Sequence, residues 1–145
     1  MTATATNSIL AVQPYLAFNG RAEEAIEFYR DALGAEVEML MRFKDSPDPA
    51  MCSSENLDKV MHASLRIGDA TVFASDGQCQ GEAEAGFRGF SLSLTASSVA
   101  DAERLFGALA EGGQVCMPLS KTFFAETFGV VSDRFGVSWM IIVTP

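Results

Sequence analysis

Short segments in which apolar and polar positions alternate recur along the chain and predict β-strands. In residues 61–67 every odd position is apolar, and the same period of two occurs in residues 70–75 and 90–95. Since residues two apart lie on one face of a strand, each segment has an apolar face for packing and a mixed face. The apolar positions of residues 10–18 extend the pattern to the start of the chain and are expected to pack under a helix: Leu10, Val12, Leu16 and Phe18.

A period near 3.6 residues predicts a first helix that begins after Asn19, a residue suited to the N-cap, and ends before Gly34. Glu23 and Glu24 lie in its first turns, where the helix dipole favours negative charge. One apolar stripe is formed by Ala22, Ile26, Tyr29 and Leu33. We therefore expect this helix to pack one face against a sheet.

A second helix is predicted after Ser98, because Ser98 and Asp101 have the spacing of a capping box. Its end is marked by Gly112 and Gly113. Each helix follows a strand-like run and precedes three more, so the chain has the order β-α-β-β-β twice. The pattern predicts an α+β fold with a first module at residues 8–78 and a second at residues 87–145.

The mixed faces of the predicted strands contain hydroxyls, an amide, one histidine and several rings in place of the Lys and Glu typical of a solvated face. Ligand sites are largely apolar surfaces with a few polar groups. We therefore expect these side chains to line a ligand site: Gln13, Tyr15, His62, Phe73, Ser75, Ser91 and Ser93.

Four stretches together resemble the PhnB-like branch of the vicinal oxygen chelate superfamily, which includes glyoxalase I, extradiol dioxygenases and bleomycin-resistance proteins. They are PYLAFNGRAEEAIEFYRDALGAEV, KVMHASLRIGDATVFASD, LSLTASSVADAERLFGALAEGGQVCMPL and FGVVSDRFGVSWMI. The resemblance implies a glyoxalase-like pair of half-barrels and a homodimer. It also implies a ligand cleft between the half-barrels, with Trp139 or Met140 across from the residues named above.

The resemblance places metal-ligand positions on the first and last strands of each module. Matching the flanking motifs puts those positions at Gln13, Phe73, Ser91 and Met140. Phenylalanine has no donor atom, and an amide alone is a weak ligand for Ni, Zn, Mn or Fe. We therefore expect neither a catalytic metal nor another cofactor.

The single histidine, His62, is the candidate catalytic residue. A histidine on the mixed face could serve as a general base or orient a ligand, with Asp76 positioning its ring. The alternative is a structural histidine that bonds to a neighbouring strand. The sequence leaves both interpretations open.

Composition narrows the range of partners. The net charge of −9 argues against nucleic acid and against an anionic membrane surface. The sequence has no apolar run long enough for a membrane span and no pattern of a signal peptide. Three widely spaced cysteines, Cys52, Cys79 and Cys116, indicate free thiols in a reducing cytoplasm.

Three functional hypotheses follow. The first is a protein that binds a small molecule without a metal, and the second is a lyase- or dioxygenase-type enzyme that uses His62 or atypical metal ligands. The third is a dimeric scaffold without a small ligand. Some proteins that resemble this chain carry a methyltransferase label for ubiquinone biosynthesis, but the sequence has no G-x-G-x-x-G motif for a nucleotide-like cofactor.

Overall fold

The computed structural model describes residues 8–46, 56–77 and 86–145. It contains two four-stranded mixed sheets and two α-helices, which makes the fold α+β. The elements are β1 (Tyr15–Ala17), α1 (Ala22–Leu33), β2 (Glu36–Arg42), a 3₁₀ turn (Phe43–Asp45), β3 (Val60–Ile67), β4 (Ala70–Ser75), β5 (Leu92–Thr95), α2 (Val99–Ala110), β6 (Gln114–Ser120), β7 (Thr127–Ser132) and β8 (Ser138–Val143). Cys52 and Cys79 lie outside the described residues, as does position 78, where the first module was expected to end.

The contacts divide the chain into two compact units, the first comprising residues 1–26 and 35–83 and the second residues 27–34 and 84–145. In the first unit the strand order is β1-β4-β3-β2, with β1 parallel to β4 and the other pairs antiparallel. Ala63 and Leu65, predicted to be apolar core positions, are fully buried.

The predicted packing of Leu10 and Val12 is wrong. The strand β1 begins only at Tyr15, and the side chains of Leu10 and Val12 are 97% and 87% exposed. Pro14, which has no N–H to donate, precedes the strand and only accepts a bond from Phe73 N. The paired strand therefore covers just three residues, and Leu16 is its buried side chain.

The N-terminus of α1 is held by Asp76 instead of the predicted cap Asn19. Asn19 has φ of 53° and lies in the turn before the helix, whose first residue is Ala22. The backbone N–H of Ala22 donates to Asp76 Oδ1 at 2.8 Å, and Val60 N donates to Oδ2 at 2.8 Å. A buried carboxylate thus satisfies a free donor at the helix start and joins it to β3. The predicted C-terminal Gly34 has φ of 69° and donates to Arg30 O.

In the second unit the strand order is β5-β8-β7-β6. The predicted N-cap Ser98 of α2 is confirmed, because Ser98 Oγ accepts from Asp101 N at 3.1 Å. The carboxylate of Asp101, the other member of the predicted capping box, instead accepts from Ser97 Oγ at 2.8 Å and pairs with Arg104. The helix buries Ala102, Phe106 and Leu109. Phe106 packs where β7 has Gly129, since a Cβ built on that glycine would lie 2.9 Å from the Phe106 ring.

Candidate functional site

Three aromatic rings meet on the face of the first sheet that carries His62. The ring centroids of His62 and Phe73 are 5.1 Å apart, those of Tyr15 and His62 5.5 Å, and those of Tyr15 and Phe73 6.0 Å. The hydroxyl of Tyr15 lies 3.3 Å from His62 Nδ1. Tyr15 is 55% exposed, and the other two side chains are half-buried. We call this group the ring surface.

The strand register shows what surrounds the ring surface. Phe73 is opposite Tyr15 on one side and Ser64 on the other, and His62 is opposite Met41. Residues that face each other across neighbouring strands share a side of the sheet. The surroundings therefore add a small hydroxyl and a thioether to the rings, which gives a largely apolar surface with a few polar groups.

Gln13 and Ser75, predicted to line the same site, are placed differently. Gln13 precedes β1 and is half-buried. Ser75 is 2% exposed, and its Oγ accepts from Gly77 N at 2.9 Å. Ser75 is thus a turn residue with little surface to offer a ligand, so its predicted role as a ligand contact is wrong.

In the second unit, Ser93 lies opposite Met140 in the register of β5 and β8. The hydroxyl of Ser91 lies 2.7 Å from that of Ser138, and both groups can donate or accept. Ser91 and Ser93 are exposed, and Met140 is half-buried. The serine hydroxyls therefore form a small polar group, with Met140 beside it, on the sheet of the second unit.

The predicted position of Trp139 in the ligand site is wrong. Its side chain is 4% exposed and alternates with Met140, so it lies on the opposite face of β8. Its ring is in edge contact with Tyr29 of α1, with centroids 5.7 Å apart, and Nε1 donates to Asp133 at 2.9 Å. Trp139 and Met140 are neighbours in β8, so their side chains point to opposite faces of the sheet. Of the two, only Met140 shares a face with Ser93.

Asp133 is a buried acceptor that sequence reasoning missed. Its Oδ2 accepts from Trp139 Nε1 and from the hydroxyl of Tyr29, the latter at 2.5 Å. Its Oδ1 accepts from the backbone N–H groups of Phe135 and Val137. Burial, followed by the Asp133 charge and hydrogen bond, raises the pKa of Tyr29 far above its usual range. The only signal in the sequence was an acidic residue directly after an apolar strand.

Asp76, which the sequence offered as a residue that could orient His62, is engaged elsewhere. Both of its oxygens are taken by the backbone donors at the start of α1 and β3, and the side chain is 5% exposed. The contact of His62 Nδ1 is with the hydroxyl of Tyr15. Both Tyr15 and His62 were candidates from the sequence, but their direct contact depends on the register of strands that are distant along the chain.

The positions that the resemblance assigns to metal ligands do not suit a metal ion. Phe73 is part of the ring surface, Ser91 bonds to Ser138, and Met140 offers only a thioether. Hard divalent cations need carboxylate, imidazole or carbonyl donors in a converging set. Among the residues that the structure describes, no group of three or more His, Cys, Asp or Glu side chains could hold a metal ion. In the same residues, no helix is both long and apolar enough to cross a membrane.

A family sequence model, a related protein and a solved structure each match nearly the whole chain. The sequence model of the family described as 3-demethylubiquinone-9 3-methyltransferase matches residues 10–142. Protein YjdN of Escherichia coli (strain K12) is 37% identical over 142 residues, which cover 92% of this chain and 95% of that protein. The crystal structure of PA1353 from Pseudomonas aeruginosa is 46% identical, covers 94% of this chain and 98% of its own, and has a TM-score of 0.84.

More distant structures share the fold. The PhnB protein from Bacillus cereus is 24% identical with a TM-score of 0.76, covering 93% of this chain and all of its own. A glyoxalase/bleomycin resistance protein/dioxygenase family enzyme from Burkholderia phytofirmans is 13% identical with a TM-score of 0.59, covering 92% of this chain and 96% of its own. The fold is therefore glyoxalase-like, as the resemblance to the superfamily implied.

Proposed function

This chain belongs to the family described as 3-demethylubiquinone-9 3-methyltransferase, which is the PhnB-like branch of the vicinal oxygen chelate superfamily, and we propose that it binds a small molecule without a catalytic metal. The observation that carries the proposal is the ring surface. Tyr15, His62 and Phe73 contact one another on a sheet face, and the Tyr15 ring stays more than half exposed. Large exposed rings beside a single imidazole supply contact area and a hydrogen-bonding group in one place.

The family description implies a methyl donor, and the residues present do not fit one. The only strand-to-helix turn in the first unit's described residues runs through Gly20 to Ala22. A nucleotide-like cofactor would use the free N–H groups at such a helix start. Here the N–H of Ala22 already donates to buried Asp76, so it is not available to a bound cofactor. We therefore derive no methyl transfer.

A second candidate function is proton transfer in a lyase-type enzyme, and the contact between Tyr15 and His62 favours it. An imidazole beside a phenol can take a proton from a bound substrate while the phenol orients the ring. This role would require the 3.3 Å contact between Nδ1 and the hydroxyl. Turnover of the bound molecule, lost in His62→Ala with binding retained, would favour the enzyme over the binding protein.

We also propose that the protein is a homodimer in the cytoplasm. The outer strands β2 and β6 expose apolar side chains, among them Met39 at 39% and Met117 at 47%. Unpaired sheet edges of this kind need cover. Exposed Cys116 in β6 suits a reducing compartment. Light scattering should return twice the chain mass of 15.5 kDa, and a monomer at micromolar concentration would contradict the dimer.

A thermal-shift screen with metal salts and metabolite mixtures tests the binding proposal, since a ligand of the native state raises its apparent stability. We expect organic molecules to stabilise the wild type more than Phe73→Leu, because this variant keeps an apolar side chain but removes a ring. Phe123→Leu is the matched control, because Phe123 is 98% exposed on the second unit. Equal shifts in both variants would place the ligand elsewhere. Stabilisation by Ni, Zn, Mn or Fe that depends on Gln13 and His62 would overturn the metal-free proposal.

A further inference from the structure

The basic side chains of the first unit are all engaged. The unit contains five Lys and Arg residues, all within the described part of the chain: Arg21, Arg42, Lys44, Lys59 and Arg66. Four of them form ion pairs with acidic side chains at 2.9–3.0 Å, and the nitrogen of Lys59 lies 3.4 Å from Gly20 O. No Lys or Arg side chain of this unit is therefore left over for an anionic ligand.

Arg66 is the basic residue that shares the sheet face of the ring surface. It lies opposite Thr71 and Glu36 in the register, two residues along β3 from Ser64. Its Nη2 is 3.0 Å from Glu36 Oε1, and its Nε is 4.0 Å from Glu38 Oε2. Two carboxylates thus accompany one guanidinium, and the local charge is negative.

Aromatic rings favour cations. The face of a phenyl or phenol ring carries negative charge density and attracts a cation placed over it. The net charge of the whole chain is −9, so its long-range electrostatic field also attracts cations. The rings, the neutralised Arg66 and the net charge therefore all act against anions.

We propose that the ligand of the ring surface is a planar ring system that is cationic, and that carboxylates and phosphates are rejected. The inference rests on the proposed binding function and adds the charge of the ligand. A flat ring can stack on the exposed Tyr15, and its positive charge can lie over Tyr15 and Phe73.

Three probes that share one ring system test the proposal: 1-methylquinolinium (a cation), quinoline (neutral) and quinoline-2-carboxylate (an anion), measured by calorimetry in mildly alkaline buffer. We expect 1-methylquinolinium to have the lowest Kd, about twofold to fivefold below that of quinoline, and the anion to bind weakest. High salt screens the net charge but not a ring contact, so the cation should keep part of its advantage at ~1 M salt.

Substitutions test whether the rings of Tyr15 and Phe73 cause the tighter binding of the cation. Phe73→Leu should bring the Kd of the cation close to that of quinoline, whereas Tyr15→Phe, which keeps the ring, and the control Phe123→Leu should keep the preference. An undiminished preference in Phe73→Leu would show that the Phe73 ring does not produce it and would overturn the proposal.

The outcomes separate this inference from the proposed function. Tighter binding of the anion than of the cation, with loss in Phe73→Leu, would overturn the charge assignment and leave the binding site in place. No binding of any of the three probes would also overturn the charge assignment. The binding function itself would fail only if the metabolite screen also found no ligand that depends on Phe73.

Discussion

Tyr29 in α1 donates its hydroxyl to Asp133 at 2.5 Å, and the two residues are 104 positions apart in the sequence. Both belong to the second unit, although the helix that carries Tyr29 begins in the first. Tyr29 is 2% exposed and contacts the rings of Phe28, Phe135 and Trp139. The C-terminal half of α1 is thus fixed in the second unit by one buried carboxylate and a cluster of rings.

Loss of the Tyr29 hydroxyl should lower stability. We expect Tyr29→Phe to reduce the free energy of unfolding by about 1.5–3 kcal/mol, the range for a hydrogen bond to a charged group. Asp133→Asn should cost about 3 kcal/mol or more, because its amide N–H₂ would face the donors of Tyr29 and Trp139. Urea unfolding measures both. Glu27→Ala, which breaks only the exposed ion pair with Arg30, is the control and should change stability by less than about 1 kcal/mol. Equal small losses in all three variants would contradict a structural role for Asp133.

The raised pKa of Tyr29 predicts a loss of stability in alkali. Burial and Asp133 favour the neutral phenol in the folded protein, whereas in the unfolded chain the phenol ionises near its ordinary pKa of about 10. The stabilisation is therefore complete below about pH 10, and above it the unfolded chain holds fewer protons than the folded one, so stability falls. The stability difference between the wild type and Tyr29→Phe should shrink by about 1.4 kcal/mol per pH unit above that point. Urea unfolding across an alkaline series measures it, and a constant difference would contradict it.

The fold followed from local patterns because the alternation of β3 and the stripe of α1 are periodic within single segments. Ala63, Leu65 and Ile26 are buried as their periods require. The pattern over residues 10–14 failed because alternation shows only that a strand could form, whereas the pairing of β1 with β4 begins at Tyr15, directly after Pro14, which has no N–H to donate. The cap at Asn19 failed for a similar reason, since the acceptor for Ala22 comes from Asp76, 54 positions away.

The candidate site was predicted only in part. Tyr15, His62 and Phe73 share a face by strand parity, and parity is visible in the sequence. Their contact requires the pairing of β1 with β4 and of β4 with β3, which sequence alone does not supply. Trp139 was misplaced because a register error of one residue reverses the face of a strand. Asp133 was missed because its four donors converge only in the folded chain.

Asp76 should matter for stability and not for ligand binding. Its carboxylate accepts from the backbone of Ala22 and Val60, two buried donors. Asp76→Ala should lower the free energy of unfolding by about 2–4 kcal/mol, more than the loss of an ordinary N-cap, because two donors lose their acceptor. Chemical unfolding gives the loss, and calorimetry with quinoline should show an unchanged Kd for the folded variant. A weaker Kd at full folding would restore Asp76 as a residue that positions His62.

His62 should contribute a hydrogen bond to a bound molecule as well as ring contact, and two substitutions separate these contributions. In His62→Ala we expect quinoline to bind more weakly by about 1–3 kcal/mol, the cost of a buried hydrogen bond lost with its ligand partner. His62→Phe keeps a ring against Tyr15 and Phe73 but removes both nitrogens, so it should retain the stacking and lose the hydrogen bond. Calorimetry on both variants gives the separate contributions of the hydrogen bond and of the ring contact to the binding free energy. Calorimetry on Tyr15→Phe shows whether the Tyr15 hydroxyl, 3.3 Å from His62 Nδ1, orients the imidazole. If His62→Ala binds quinoline as tightly as the wild type, His62 is a structural residue of the sheet, and Tyr15 and Phe73 alone form the binding surface.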